Sequence, residues 1–277
     1  GTTTIKNEID AITATKATTI NVSGDAELQL DSVSGGALTK FDASALAAKL
    51  AVTFAGDKVA VTAAQKDSTI AFGTSLDNND SVVGGAGTQD AVTATFASVG
   101  ETAGTLTISA VETITLTNSG TNTFDFTSVS GATTISSTGG TNTIKGFDLG
   151  ATLESTADQT FKVTGADVTG SADVLKVSSV ASNVDDDNTI EAVGIETLEI
   201  TVKDTHATDA TPDVRGFDLD KFEGTTVKFS EHADSNSTSG AVVSVDLAGT
   251  TLHKNVTTVD STGTKGIFTA SAANATS

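Results

Sequence analysis

Acidic and amide side chains set two or three residues apart among glycines are the first places in this chain where chemistry could reside. The stretch DNNDSVVGGAGTQD, residues 77–90, offers Asp77, Asn79, Asp80 and Asp90 together with the backbone around Gly85. A second group, NVDDDN, places Asn183, Asp185 and Asp187 at i, i+2 and i+4 with Asp186 between them. Hard oxygen donors at such spacing suit Ca2+, which collects six to eight oxygens from carboxylates, amides and backbone carbonyls. Three adjacent carboxylates also repel one another, and a bound cation relieves that repulsion directly. The second group begins like an EF-hand loop and then departs from it. Its sixth position is Asn188 rather than Gly, and its twelfth is Gly194 rather than Glu. Asp204, Asp209 and Asp213 form a third, looser acidic group.

Catalytic constellations are poorly represented. His206, His232 and His253 lack metal-ligand spacing, there is no G-x-S-x-G elbow, and no Cys can act as a nucleophile. The glycines Gly84, Gly85 and Gly87 are followed by neither Lys-Ser/Thr nor a helical pattern, so a phosphate loop is not expected. Paired carboxylates for glycoside hydrolysis can come from distant parts of a chain. The absence of Trp and Tyr removes the usual sugar-stacking platforms. The expectation is a protein that is not an enzyme.

The elements that must carry these residues read as strands. In TTINV, Ile20 and Val22 alternate with Thr19 and Asn21, and the same two-residue beat recurs in TLTIS, ITLT and TVKFS. Gly, Asn, Asp and Ser clusters interrupt these runs at short intervals, as an all-β chain requires. The one helix-like stretch is DASALAAKL, where Asp42 or Ser44 is placed to cap about two turns. With no Trp, Tyr, Met or Cys, the core must be made from Val, Ile, Leu, Ala and 12 Phe. Side chains of that size suit thin sheets and stacked coils.

The formal net charge of −20, from 35 acidic and 15 basic residues, repels phosphate backbones and anionic lipid. Nucleic acid is therefore not an expected partner, and divalent cations are the natural counter-charge. No run of 18 apolar residues suggests a transmembrane segment. The chain opens with Gly1 rather than Met, as a processed or excised fragment would.

Internal similarity organises the chain further. DAVTATFASVGETAGTLTISAVETITLT, from Asp90, aligns with DVLKVSSVASNVDDDNTIEAVGIETLEIT, from Asp173. Both open on Asp and close on an E-T-[IL]-x-[LI]-T strand that begins at Glu112 and Glu196. The offsets are 83 and 84 residues, so one insertion separates the copies. A shorter phrase recurs at Phe41-Asp42, Phe124-Asp125, Phe147-Asp148, Phe217-Asp218 and Val245-Asp246. There the Phe should point inward, while the Asp accepts backbone N–H bonds at a turn or short helix start. Three units follow: an N-terminal β module over 1–89, a first repeat over 90–172, and a second repeat with an extension over 173–277. The expected fold is all-β, with stacked β-solenoid-like or β-sandwich modules and short helical turns.

The E-T strands, the F-D turns, the phrase GSADVLKVS (170–178) and the glycine stretch at 84–87 together resemble the bacterial surface-layer (S-layer) proteins related to the RTX family. Those proteins are calcium-binding and exported by type I secretion. The resemblance runs from about residue 18 to residue 258. It implies an extracellular, cell-surface structural protein that self-assembles with Ca2+ into a two-dimensional lattice, its partners being further copies of itself and lipopolysaccharide or another cell-surface glycan. The family's glycine repeat, G-G-x-G-x-D, is out of step here, because Thr88 and Gln89 both stand between Gly87 and Asp90. A long calcium β-roll is therefore not expected. The alternative is a calcium-stiffened domain of a large secreted adhesin that binds glycan or a host surface. An ice-binding solenoid would need a regular T-x-T rank, and runs such as Thr113, Thr115 and Thr117 look too scattered to supply one.

Overall fold

The computed structural model describes residues 6–56, 58–77, 79–96, 102–118, 120–165, 172–179, 185–203, 214–219, 221–231, 242–246, 256–264 and 268–271. These residues form two parallel sheets, one of 13 strands and one of 12, and there is no helix among them. From Thr19–Gly24 onward, successive strands alternate between the sheets, so each circuit of the chain adds one strand to each. The result is a β-solenoid. It is not an antiparallel sandwich, because every ladder is parallel and, from Thr19–Gly24 onward, each strand pairs with the strand two places further along the chain.

Coil length follows from the register of the 13-stranded sheet. Ala91 pairs with Thr113, Thr113 with Thr134 and Thr134 with Thr152, steps of 22, 21 and 18 residues. The two long repeats seen in the sequence are thus four coils apart, since the strand Ala91–Phe96 and the strand Val174–Ser179 are separated by four such steps. The ladders continue across 89/90, where Ala91 pairs with Thr69, and across 172/173, where Thr152 pairs with Lys176.

The core is the thin layer between the sheets. Strands such as Leu50–Phe54 and Thr197–Val202 bury every second side chain, which is the pleat expressed as burial. Phe41, Phe124, Phe147 and Phe217 of the F-D phrases are all inside, as expected. Phe41 meets Phe54 edge-on at 5.3 Å and Phe96 meets Phe124 at 4.9 Å, contacts that each add about 0.5–1.5 kcal/mol beyond burial.

DASALAAKL is not helical. It belongs to the strands Lys40–Leu46 and Leu50–Phe54. A register shift opposite Asn21 and Ser23 places two adjacent residues outward in Lys40–Leu46. The buried positions then fall at Phe41, Ala43, Leu46 and Leu50, a spacing that imitates one face of a helix. Burial between two sheets overrides the helix propensity of the alanines.

The threonines of the outer face are more regular than the sequence suggests. Thr113, Thr115 and Thr117 stand in register with Ala91, Thr93 and Thr95 on one side and with Thr134, Ser136 and Thr138 on the other. The second sheet has its own column of Thr121, Thr141, Thr160 and Thr189. A feature shared by both sheets reflects the β preference of branched side chains rather than one dedicated face.

Candidate functional site

The glycine and acid residues of 77–90 form two consecutive coil corners, and each has an assignable role. Gly84 and Gly85 pass between neighbouring coils with no room for a side chain: a Cβ on Gly84 would lie 1.6 Å from the Ala110 carbonyl oxygen, and one on Gly85 would lie 1.5 Å from that of Ala64. Gly87 is similarly close to the Asp67 backbone, at 2.7 Å. Close approach between coils therefore accounts for the G-G-A-G sequence, without a nonapeptide repeat.

Asp80 and Asp90 point into the protein. Asp80 is 4% exposed and Asp90 is fully buried. Asp80 accepts the Val59 N–H at Oδ1 (2.8 Å) and the Asp77 N–H at Oδ2 (2.9 Å). Asp90 accepts the Ser68 N–H at Oδ1 (2.6 Å) and the Gly85 N–H at Oδ2 (3.1 Å). Each carboxylate so joins its own corner to the coil before it, and both of its oxygens are engaged by donors of the chain. Burial pushes both aspartates above their ordinary pKa, while these N–H bonds pull the other way. Asp77 and Asn79 are exposed, and Asp77 Oδ1 accepts both the backbone N–H (2.7 Å) and the side-chain amide (2.9 Å) of Asn79.

Asp185, Asp186 and Asp187, whose spacing suggested a loop, are not in one. They open the strand Asp185–Val193 and pair with Val214, Arg215 and Gly216. Tertiary pairing in the 12-stranded sheet overrides the low strand propensity of three aspartates. Asn183 lies outside the described residues, as do Asp204, Asp209, Asp213 and the three histidines. The structure thus brings Asp77, Asn79, Asp80, Gly85 and Asp90 to neighbouring corners, and it places Asp185–Asp187 on a different stretch of the solenoid.

The Asp of each long repeat is matched by its Glu one coil later. Glu112 Oε2 accepts the Asp90 N–H at 2.7 Å, and Glu196 Oε2 accepts the Asp173 N–H at 2.9 Å. In return the Asp90 carbonyl accepts the N–H groups of Glu112 and Thr113, and the Asp173 carbonyl accepts those of Glu196 and Thr197. The E-T dipeptide is therefore a corner clasp. Its glutamate satisfies a backbone donor at the corner where the chain enters the sheet.

Three of the F-D aspartates are local acceptors, as expected: Asp148 sits at a turn, whereas Asp42 and Asp125 lie within strands. Asp42 accepts the Ser44 hydroxyl (2.6 Å) and N–H (3.1 Å), and Asp125 does the same with Thr127 (2.6 and 3.0 Å). Asp148 takes the Gly150 N–H at 2.9 Å. The Ser44 hydroxyl, with Lys40 and the Ser44 N–H, holds Asp42 down at about 2.

Sequence reading missed a buried polar ladder at another corner. Asn118 donates to Ser137 Oγ (2.9 Å) and Asn142 Oδ1 (2.8 Å), and Asn142 donates to Gln159 Oε1 (3.1 Å). Gln159 donates to Ser155 Oγ (2.8 Å), whose hydroxyl donates to Asn188 Oδ1 (2.7 Å). The available signal was the phrase G-T-N-T, which occurs at 120–123 and again at 140–143, one coil apart, with Asn122 and Asn142 in register.

Elsewhere, Glu8, Asp10 and Asp31 bring carboxylate oxygens within 4.8 Å of one another on the exposed surface. No helix among the described residues is long and apolar enough to cross a membrane. Comparison with protein-family models, curated proteins and solved structures gave no match.

Proposed function

We propose that this chain is a non-enzymatic building block of an extracellular bacterial surface layer, assembling with Ca2+ into a two-dimensional lattice held on lipopolysaccharide or another surface glycan. The observation that carries this reading is the uninterrupted pair of parallel ladders beneath a strongly acidic surface. Such a body is a stiff rod with two broad faces, because each coil is bonded along its length to the next. Stiff, repetitive, polyanionic rods suit a tiled coat whose charge repulsion is removed by divalent cations. The resemblance of the E-T and F-D phrases to RTX-related surface-layer proteins points the same way.

In this reading calcium is taken at two acidic stretches of the chain. Asp77 with Asn79, and the run Asp185–Asp187, are the residues proposed to contribute ligands. Asp80, Asp90 and the Gly85 N–H are proposed to serve calcium only indirectly, by fixing the corners that carry those groups. Weak affinity is expected, with dissociation constants of about 10⁻⁴ to 10⁻³ M, as in extracellular modules. Electron microscopy of the chain in millimolar calcium and in chelator tests the proposal. Ordered sheets that form with calcium and disperse in chelator are the expected result. Discrete particles under both conditions would overturn it.

A further inference from the structure

On the outer face of the 13-stranded sheet, one column of side chains alternates in sign along the solenoid axis. Lys176 pairs in register with Glu199, Glu199 with Lys228, and Lys228 with Asp260. On one side the column is flanked by Val174, Thr197, Thr226 and Thr258, and on the other by Thr201 and Ser230, the Ser178 that continues that second column being buried. Within the chain, Lys228 Nζ lies 3.1 Å from Glu199 Oε1. Asp260 accepts the Thr262 N–H and hydroxyl, at 2.9 and 2.7 Å, so its carboxylate is held in place. Lys176 and Lys228 are exposed, and the row borders a shallow depression of about 380 Å³.

The order of signs, plus-minus-plus-minus, has a specific symmetry. Turned over about an axis parallel to the strands, the row reads minus-plus-minus-plus. A second copy docked face to face in this way sets Lys176 against Asp260 and Glu199 against Lys228, twice each. The flanking Ser and Thr columns meet themselves. No other in-plane two-fold rotation does this, because an axis along the solenoid sets like charge against like.

We propose that this face is a two-fold contact between copies of the chain, with its axis passing between the strands Thr197–Val202 and Thr226–Glu231. The chain carries −20 overall, so copies repel at most approaches; the row itself sums to zero and is self-complementary. The inference rests on the self-assembly reading and specifies one of its contacts. Four strands about 4.8 Å apart and six residues long present roughly 300–400 Å² per copy, well under the usual ~800 Å². The contact is therefore weak and salt-sensitive, and lattice repetition would multiply it.

Sedimentation equilibrium at roughly 0.1–1 mM protein tests it, in chelator so that calcium contacts are absent. The wild type should dimerise at low salt and dissociate as salt rises. Lys228→Glu sets Glu199 against a new carboxylate and should weaken dimerisation about tenfold or more. The double swap Glu199→Lys with Lys228→Glu makes the row read plus-plus-minus-minus, which is again self-complementary under the same two-fold. It should dimerise with itself but not with the wild type, where like charges meet. Unchanged melting of each variant separates the contact from folding. A monomeric wild type, an unaffected single variant, or a double swap that pairs equally well with the wild type would each overturn the proposal. Calcium-dependent sheets formed by a chain that shows no such dimer would sink this contact and leave the surface-layer reading standing; dimers with no sheets would do the reverse.

Discussion

The corners at Asp90 and Asp173 begin alike and end differently. In both, a glutamate one coil later accepts the aspartate N–H, and the aspartate carbonyl accepts two N–H groups in return. In the first corner the side chain is also satisfied, since Ser68 and Gly85 each donate to one oxygen. In the second, Asp173 Oδ2 is buried and meets no hydrogen-bond donor among the described residues. The sequences diverge at the same place: G-G-A-G-T-Q precedes Asp90, whereas D-V-T-G-S-A precedes Asp173. Glycine at 84 and 85 lets the first corner run close enough to its neighbours to deliver the Gly85 N–H. The clasp is common to both repeats, and the glycine stretch is what completes one of them.

The largest expected effect tests that role of glycine. Gly85→Ala drives a Cβ into the Ala64 carbonyl and should cost about 3 kcal/mol or more, read as a fall in the denaturant midpoint. A neutral result would mean that the corner is looser than described. Next comes the contrast between the aspartates. Asp90→Asn turns an amide N–H toward a backbone N–H and should cost about 2–3 kcal/mol, whereas Asp173→Asn should stay within about 1 kcal/mol. Equal losses would erase the difference between the corners. Glu112→Ala and Glu196→Ala each remove one clasp, so both should lose about 1–2 kcal/mol and by similar amounts.

The smallest effect is on pH. Asp80 and Asp90 have raised pKa values in the fold, so the folded protein takes up protons before the unfolded chain does. Their contribution to stability therefore grows as pH falls through the folded pKa toward the ordinary aspartate value, and is lost as pH rises through the folded pKa. Asp42 has the opposite sign. Its pKa of about 2 stabilises the fold above the ordinary aspartate range, and that contribution disappears as pH falls toward 2. Melting temperature should thus rise on mild acidification and drop in strong acid. Asp90→Asn should flatten the first limb of that profile.

How much of this could be read beforehand depended on whether the signal was local. Strand character was legible because alternation in stretches such as ITLT needs only the pleat. The inward Phe and accepting Asp of the F-D phrases were legible because both roles lie within three residues. The clasp was visible as a repeat but not as a bond, since Glu112 and Asp90 meet only once a coil of 22 residues brings them together. The glycines misled because a tight inter-coil passage and a metal-binding turn both call for residues without side chains. DASALAAKL misled for a different reason: one register shift in Lys40–Leu46 changes the parity of a strand and yields helical spacing.

The central claim is that Asp80, Asp90 and the glycines of 84–87 hold coil to coil by direct contact within the chain. Thermal melting of the wild type and of Asp90→Asn, each in millimolar calcium and in chelator, tests it most directly. The account predicts the same loss of melting temperature in both solutions, because the Ser68 and Gly85 N–H groups lose their acceptor whether or not calcium is present. A loss seen in calcium that vanishes in chelator would show that Asp90 acts through the ion, and would contradict it.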